Sequence, residues 1–249
     1  MWKNIRKNSH KNSRLENKKL RIKKNKSEKI KWDQKFIPKK KKLNILSFDC
    51  AIKSLAICNA TVNLNFHEDI KNALSAVEIL KASNIIDVHL LEVHDLIPEC
   101  DARGFPTEIY ISALKKVIMD LDERIRIKPD IVLVEYQMPP NVNSRGISEQ
   151  LIFHYTGKIP PFLVGPSIKN SIHFHSNINH EVFLDKYMKR YDANKAHTKT
   201  NLKYWATLNG KLHLINHIPA KNLDDAADAF MQILGWVKHK GLISIQRQN

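Results

Sequence analysis

The chain has 249 residues and a net charge of +16, with 41 Lys and Arg against 25 Asp and Glu. Its length suits one large domain or two small ones with a substantial core, and no apolar run reaches the ~18 residues of a membrane-spanning helix, so we expect no membrane association. The charge is uneven, because residues 1–42 carry a net +15 and residues 43–249 only +1. We therefore predict a disordered basic tail, 1–42, followed by one nearly neutral folded domain, 43–249.

The tail is rich in Lys and Asn and contains no Gly. Such a segment is typical of an arm that binds a polyanion, of which nucleic acid is the commonest. The alternatives are a solubilising tail, a nuclear address at residues 39–42 and a mitochondrial transit peptide. Three cysteines, an odd number with no C-x-x-C pair, indicate a reducing intracellular compartment and give no support to a zinc site.

Short apolar runs predict five strands. The first two, 43–50 and 55–62, are joined by a tight turn and form a hairpin. The third strand covers 85–93 and pairs antiparallel with its neighbours. The fourth, 131–136, is apolar on both faces, as a central parallel strand is. The fifth covers 162–164.

Helical periodicity predicts six helices between and after these strands. They cover 68–81, 107–127, 145–155, 180–191, 198–208 and 222–237. A polar loop, 167–179, follows the last strand. In the 107–127 helix the inner stripe is predicted to be Ile109, Ala113, Val117, Leu121 and Ile125. Strands followed by alternating helices and strands indicate an α/β fold.

Two strands end in an acid. Asp49 ends the first predicted strand and Glu135 ends the fourth. An acid inside an apolar strand costs free energy unless a partner or a metal compensates it, and ligands of open α/β sheets bind at the carboxyl ends of strands. We therefore regard both as candidate site residues, although Asp49 could instead be a turn-forming residue.

The last helix carries two further acids. Asn222 is predicted as its N-cap, and Asp225 and Asp228 are three residues apart, so their carboxylates share one face. Alanines beside them allow another backbone to approach closely. A solvated acidic helix end is the alternative. If the two strands lie adjacent and parallel with this helix across their ends, the four acids form a cage for hard divalent cations, two of which cleave phosphodiesters.

A lysine stripe precedes the last helix. Lys195, Lys199 and Lys203 recur every four residues. The stripe is either a solvated helix face or a surface that contacts phosphate.

Four segments resemble the RNase H-like Holliday junction resolvases of the RuvC superfamily, with the nearer likeness to those of poxviruses and other large DNA viruses. They are SFDCAIKSLA at 47–56, VEYQ at 134–137, VGPS at 164–167 and LDDAADA at 223–229. With their order and spacing they cover residues 43 to about 238. The resemblance implies an RNase H-like fold with a mixed five-stranded sheet flanked by helices, in which 68–81 is a helical insertion.

The resemblance also implies the chemistry. Asp49, Glu135, Asp225 and Asp228 would be the catalytic, metal-binding acids, holding two Mg²⁺ or Mn²⁺ ions, with no small-molecule cofactor. Asp224 would be a capping neighbour. The predicted DNA-binding residues are Lys53, Gln137, Arg145, Lys199 and Lys203.

The expected function is symmetric cleavage of four-way and other branched DNA in recombination or replication. Symmetric cleavage calls for a homodimer, for which we predict the apolar stripe Ile147, Leu151, Ile152 and Tyr155, unless that stripe only packs on the sheet. The alternatives are a ribonuclease H acting on RNA–DNA hybrids and a non-catalytic junction-binding protein. The expected location is intracellular: the host cytoplasm, a viral factory or the nucleus if the source is viral, or alternatively the mitochondrion.

Overall fold

The computed structural model describes residues 39–64, 85–97, 106–137, 142–165, 168, 190–240 and 242. Within them the strands are β1 Lys42–Asp49, β2 Leu55–Asn63, β3 Ile86–His94, β4 Ile131–Glu135 and β5 Pro161–Val164. The helices are α1 Thr107–Arg124, α2 Val142–Tyr155, α3 Arg190–Leu208, α4 His213–Asn216 and α5 Leu223–His239, and a 3-10 turn at Ala220–Asn222 precedes the last. All of these elements belong to one compact unit that begins at Lys40.

The five strands form one mixed sheet in the order β3-β2-β1-β4-β5. β2 pairs antiparallel with β1 and β3, whereas β4 is parallel to β1 and β5. Each strand lies within one residue of its predicted ends. This sheet order with helices on both faces is the RNase H-like arrangement, so the fold class predicted from the sequence is confirmed.

The two faces of the sheet differ in chemistry. Side chains alternate along a strand, so Ser47 and Asp49 lie on one face of β1, whereas Leu46 and Phe48 lie on the other. We call these the carboxylate face and the apolar face. α1 and α2 cover the apolar face, where Phe48 packs against Tyr155 with ring centroids 5.9 Å apart.

The inner stripe of α1 differs from the prediction. Its buried residues are Tyr110, Leu114, Ile118 and Leu121. Of the predicted stripe, Leu121 is buried, Ala113, Val117 and Ile125 are partly buried against the same core, and Ile109 is 48% exposed. The predicted stripe took every fourth residue, which drifts about 40° around the helix at each step. The observed stripe uses a step of three as well as steps of four, and it therefore stays on one side of the helix.

α2 begins three residues before its predicted start and ends as predicted, with Gly157 at a positive φ of 85° shortly after it. Ile147, Leu151 and Tyr155 are buried against the sheet of the same chain. Of the two interpretations of this stripe, packing on the sheet is therefore the one observed, and the stripe is not an exposed dimer surface. The homodimer itself stays a prediction.

α3 is one continuous helix from Arg190 to Leu208, where two helices were predicted with a break at 192–197. That interval contains two alanines and neither Pro nor Gly, so nothing in it stops a helix. The helix ends before Gly210, whose φ is 64°. The predicted helices 68–81 and, except for its last two residues, 180–191 lie outside the described residues, as do the tail through residue 38 and nearly all of the 167–179 loop.

α5 begins at Leu223. The predicted cap, Asn222, makes no side-chain capping hydrogen bond, because it ends the 3-10 turn with helical backbone angles (φ −105°, ψ 0°). In the part of the chain that the structure describes, no helix is both long and apolar enough to cross a membrane.

Candidate active site

Asp49 and Glu135 end two neighbouring parallel strands. The register between β1 and β4 pairs Ser47 with Leu133 and Phe48 with Val134, so the next step along both strands sets Asp49 beside Glu135. Adjacent strands are about 4.8 Å apart and paired residues share a face. Both acids therefore lie side by side on the carboxylate face, and both are buried, with 7% and 5% exposure.

α5 lies over the carboxylate face, and α3 runs beside α5. Lys195 contacts Asp224 at the start of α5, and further along both helices Trp205 packs on Phe230 with ring centroids 5.1 Å apart. The two helices therefore point the same way.

Beyond α3, Lys211 forms an ion pair with Asp87 of β3 (3.2 Å). Asp87 pairs through Thr61 of β2 with Asn44, near the start of β1. The end of α3 is therefore close to the start of β1, so α3 and α5 run antiparallel to β1. The first turns of α5 lie toward the end of β1, where Asp49 is.

A hydrogen bond joins α5 to β1. The Ser47 hydroxyl donates to the side-chain oxygen of Gln232, 3.1 Å away in the buried interface. Asp228 is one turn before Gln232 and Asp49 is two residues after Ser47 on the antiparallel strand. The structure thus brings Asp228, 5% exposed, to the level of Asp49 and Glu135.

Lys195 links the two acids at the start of α5. Its Nζ is 2.5 Å from Asp224 Oδ2 and 3.5 Å from Asp225 Oδ1. Burial alone would raise the pKa of Asp224, but the hydrogen bond and the charge of Lys195, aided by the charge of Lys199, outweigh it and lower that pKa. Asp224 is therefore an ion-paired carboxylate, whereas Asp225 makes the longer contact with Lys195 and lies one turn before Asp228.

The donor set suits a hard cation. Asp49, Glu135, Asp225 and Asp228 supply carboxylate oxygens, which Mg²⁺ and Mn²⁺ prefer, and three of the four are almost without access to water. In the described residues no three His, Cys, Asp or Glu side chains already converge on one metal position. Carboxylates at close range repel one another unless a cation lies between them, and Asp225 is turned toward Lys195. The metal set stays a prediction.

The predicted DNA-binding residues lie in different settings. Gln137 donates from Nε2 to Glu135 Oε2 (2.9 Å), so it orients an acid. Lys53 lies in the β1–β2 turn and contacts Asp95 and the carbonyl of Ile97. These contacts join this turn to the residues that follow β3.

The other three predicted DNA-binding residues are on helices. Arg145 is exposed on α2 and paired with Glu149 in the next turn (2.8 Å). Lys199 is within electrostatic reach of Asp224, and Lys203 is exposed one turn further along α3. Only Lys199 is therefore shown near the acidic helix, and DNA contact by all of them stays a prediction.

Sequence reasoning missed two features of this site. Lys195 was noted only as the first residue of a lysine stripe, yet it is the member that contacts the acids. Ser47 and Gln232 were not singled out, because 185 residues separate them and no local spacing connects them.

The fold and the acidic edge define an RNase H-like α/β domain with a candidate cation site at the ends of β1 and β4. Comparison with protein-family models gives no match, and comparison with curated proteins gives none either.

Solved structures similar to this chain include the Fowlpox virus resolvase in complex with its substrate Holliday junction DNA, at 19% identity and a TM-score of 0.48, covering 79% of this chain and 98% of that one. A structure of the Fowlpox virus Holliday junction resolvase shows 18% identity and a TM-score of 0.45 over 79% and 99% of the two chains. T. thermophilus RuvC in complex with a Holliday junction substrate shows 13% identity and a TM-score of 0.41 over 79% and 96%.

Proposed function

We propose that the chain is a metal-dependent endonuclease that resolves four-way and other branched DNA. One observation carries the proposal: Asp49 and Glu135 are buried side by side at the carboxyl ends of parallel strands, and α5 brings Asp228 to the same level. Burying several carboxylates in one region costs free energy, which a bound cation would offset. The sequence resemblance described above selects branched DNA as the substrate.

In this proposal Asp49, Glu135, Asp225 and Asp228 hold Mg²⁺, or alternatively Mn²⁺. The bound ions would supply an activated water and stabilisation of the departing oxygen. Gln137 orients Glu135 by donating to its carboxylate. Lys195 offsets the charge of the acids on α5, which reduces their repulsion of an approaching phosphate.

DNA binding would use charge outside the acidic site. The tail, 1–42, holds a net +15 and would bind the phosphate backbone, with a strong salt dependence. Lys53, Arg145, Lys199 and Lys203 would add contacts on the folded domain. Cutting both strands of a two-fold symmetric junction calls for a homodimer, whose surface must differ from the buried stripe of α2.

The test is cleavage of four matched substrates in Mg²⁺: a four-way DNA junction, a linear duplex with the same sequence, an RNA–DNA hybrid and single-stranded DNA. We expect paired nicks in opposed strands of the junction and none in EDTA. Cleavage of the hybrid instead of the junction would establish a ribonuclease H. Junction binding without cleavage in Mg²⁺ or Mn²⁺ would establish a binding protein and contradict the proposal.

A further inference from the structure

Ser47 and Gln232 form a polar contact inside an otherwise apolar interface. The hydroxyl of Ser47 donates to the Gln232 side-chain oxygen at 3.1 Å, and the residues are 0% and 1% exposed. The side-chain NH₂ of Gln232 has no hydrogen-bond partner among the described residues. Apolar side chains of the same size would fill this place without a buried, unsatisfied donor. Stability alone therefore does not account for the pair.

α5 needs a directional contact because it is apolar on every side. All residues from Ala226 to Val237 are buried, and the polar ones among them are Asp228 and Gln232. Burial of apolar surface is non-directional, and the directional contact of the first turn, from Lys195 to Asp224, joins α5 to α3 and not to the sheet. Neither of them relates the rotation and axial position of the helix to β1. A hydrogen bond depends on distance and angle, so it fixes both.

The distances along the two elements match. Gln232 is about 6 Å along the helix from Asp228, and Ser47 is about 6.6 Å along the strand from Asp49. Because α5 is antiparallel to β1, the same hydrogen bond sets Asp228 level with Asp49. A slip of one residue would shift Asp228 by about 1.5 Å and rotate it by about 100°, away from the carboxylate face.

We propose that the Ser47–Gln232 hydrogen bond sets the register of α5 on β1, so that Ser47 and Gln232 are positioning residues for the acids. The register follows from the geometry alone. Its consequence for metal binding rests on the proposed function. The register and its effect on metal binding are therefore tested by two separate measurements.

The first measurement needs no metal. Asp49→Asn and Asp228→Asn are made singly and together, once in the natural chain and once in a chain that carries Gln232→Met. The urea midpoint of every variant is measured in EDTA. Neighbouring charges give non-additive shifts, whereas sites more than about 7–10 Å apart add. We expect non-additivity in the natural background that falls by at least half with Gln232→Met. Additive shifts in the natural background, or equal non-additivity in both, would overturn the proposal.

The second measurement is the affinity for Mn²⁺, which is determined by calorimetry in the absence of DNA. Gln232→Met and Ser47→Ala should each weaken it by about 10- to 100-fold, the usual effect of losing a partner that orients metal ligands. The double variant should be no worse than either single one. The unfolding midpoint of the double variant, which leaves neither partner unpaired, should hold or rise, and this separates positioning from stability.

The matched control is Ser148→Ala. Ser148 is also buried, and its hydroxyl donates to the carbonyl of Arg145 (2.9 Å), but it lies on α2 at the other face of the sheet. Its loss should leave Mn²⁺ affinity unchanged. An equal loss of affinity in this variant, or none in Gln232→Met, would overturn the positioning role. A natural chain that binds no Mn²⁺ would overturn the proposed function, and the urea experiment would still decide the register.

Discussion

The two faces of the sheet are made from the same strands but are buried in different ways. On the apolar face Leu46 and Phe48 pack against Leu151 and Tyr155 in a continuous hydrophobic core. On the carboxylate face β1 starts with the buried Leu43 and Ile45 and ends with Ser47 and Asp49, and the hydrogen bond from Ser47 to Gln232 places α5 over this end. The apolar face is stabilised by the packing of apolar side chains, whereas the carboxylate face contains the buried acids of the candidate site.

Because side chains alternate along a strand, a few residues of β1 can supply both the packed core and the candidate site. Phe48 and Asp49 are neighbours in the chain, yet one lies in the core and the other in the candidate site. The face on which a residue lies should therefore predict which property a substitution changes. Substitutions on the apolar face should change the free energy of unfolding, and those on the carboxylate face should change activity.

The largest expected effect is on the carboxylate face. Asp49→Asn or Glu135→Gln should reduce junction cleavage by at least about 10³-fold, roughly 4 kcal/mol in activation free energy, because a metal ligand is lost. Junction binding should stay equal or become tighter, since repulsion of phosphate falls. The unfolding midpoint in EDTA should hold or rise because a buried charge is removed. Single-turnover cleavage, gel shift and urea unfolding measure the three properties.

Asp224→Asn is the matched control for Asp225→Asn. Both acids contact Lys195, but Asp224 is the one held in the closer ion pair. Asp225→Asn should be as inactive as the strand-end variants and Asp224→Asn much less affected. Equal loss in both would show that the two roles are assigned incorrectly.

On the apolar face, Leu151→Ala should lower the free energy of unfolding by about 2–5 kcal/mol through lost burial and the cavity left behind. Leu151 is fully buried on α2. The cleavage rate per folded molecule should stay unchanged, measured well below the unfolding temperature. A loss of cleavage without a loss of stability would break the proposed division between the faces.

Substitutions at two helix glycines test how closely the helices on the two faces approach their neighbours. A Cβ at Gly235 of α5 would come 2.2 Å from the carbonyl oxygen of Ile168, whereas one at Gly146 of α2 would come 3.2 Å from the buried hydroxyl of Tyr110 and would require a shift of only a few tenths of an ångström. Gly→Ala inside a helix ordinarily stabilises by about 1 kcal/mol. Gly235→Ala should instead destabilise by about 1–3 kcal/mol, and Gly146→Ala should be neutral or stabilising. Thermal unfolding of both decides this, and a stabilising Gly235→Ala would contradict the close approach.

The sequence predicts the elements of this fold better than their contacts. All five strands follow from apolar runs and turn residues, and Asp49 and Glu135 stand out because acids are rare at the ends of such runs. The continuous α3 was missed because residues 192–197 lack apolar periodicity, although nothing there breaks a helix.

Long-range contacts leave no local pattern. Lys195 and Asp225 lie on different helices, and no spacing rule relates them. The hydrogen bond between Ser47 and Gln232 joins β1 to α5, which are separated by nearly the whole length of the domain in sequence. The stripe of α2 shows the same limit, because periodicity identifies an apolar face but does not say whether the chain itself or a partner covers it.

The smallest expected effect concerns an acid on the apolar face. Glu92 of β3 pairs in register with Ile57, and its carboxylate accepts two hydrogen bonds from Arg124 of α1, at 2.8 and 2.9 Å. Burial alone would raise the pKa of Glu92, but the hydrogen bonds from His94 and Arg124 outweigh it and lower the pKa to about 2. Glu92 is thus an ion-paired carboxylate, so we expect it to stabilise the fold.

Because the folded-state pKa of Glu92 is below its unfolded value, its contribution is fully present above about pH 4.5 and is lost as the pH falls toward 2. Glu92→Gln should cost about 1–2 kcal/mol at pH 7, less than a fully buried pair, because Arg124 is 39% exposed. The difference between variant and natural chain should shrink between pH 4.5 and 2, as measured by urea unfolding at a series of pH values. The control, Asp120→Asn, removes a more exposed partner of the same Arg124 and should cost less than about 0.5 kcal/mol. A Glu92→Gln difference that does not change with pH would mean that Glu92 acts through packing, and that the charge of this acid does not contribute to the stability of the apolar face.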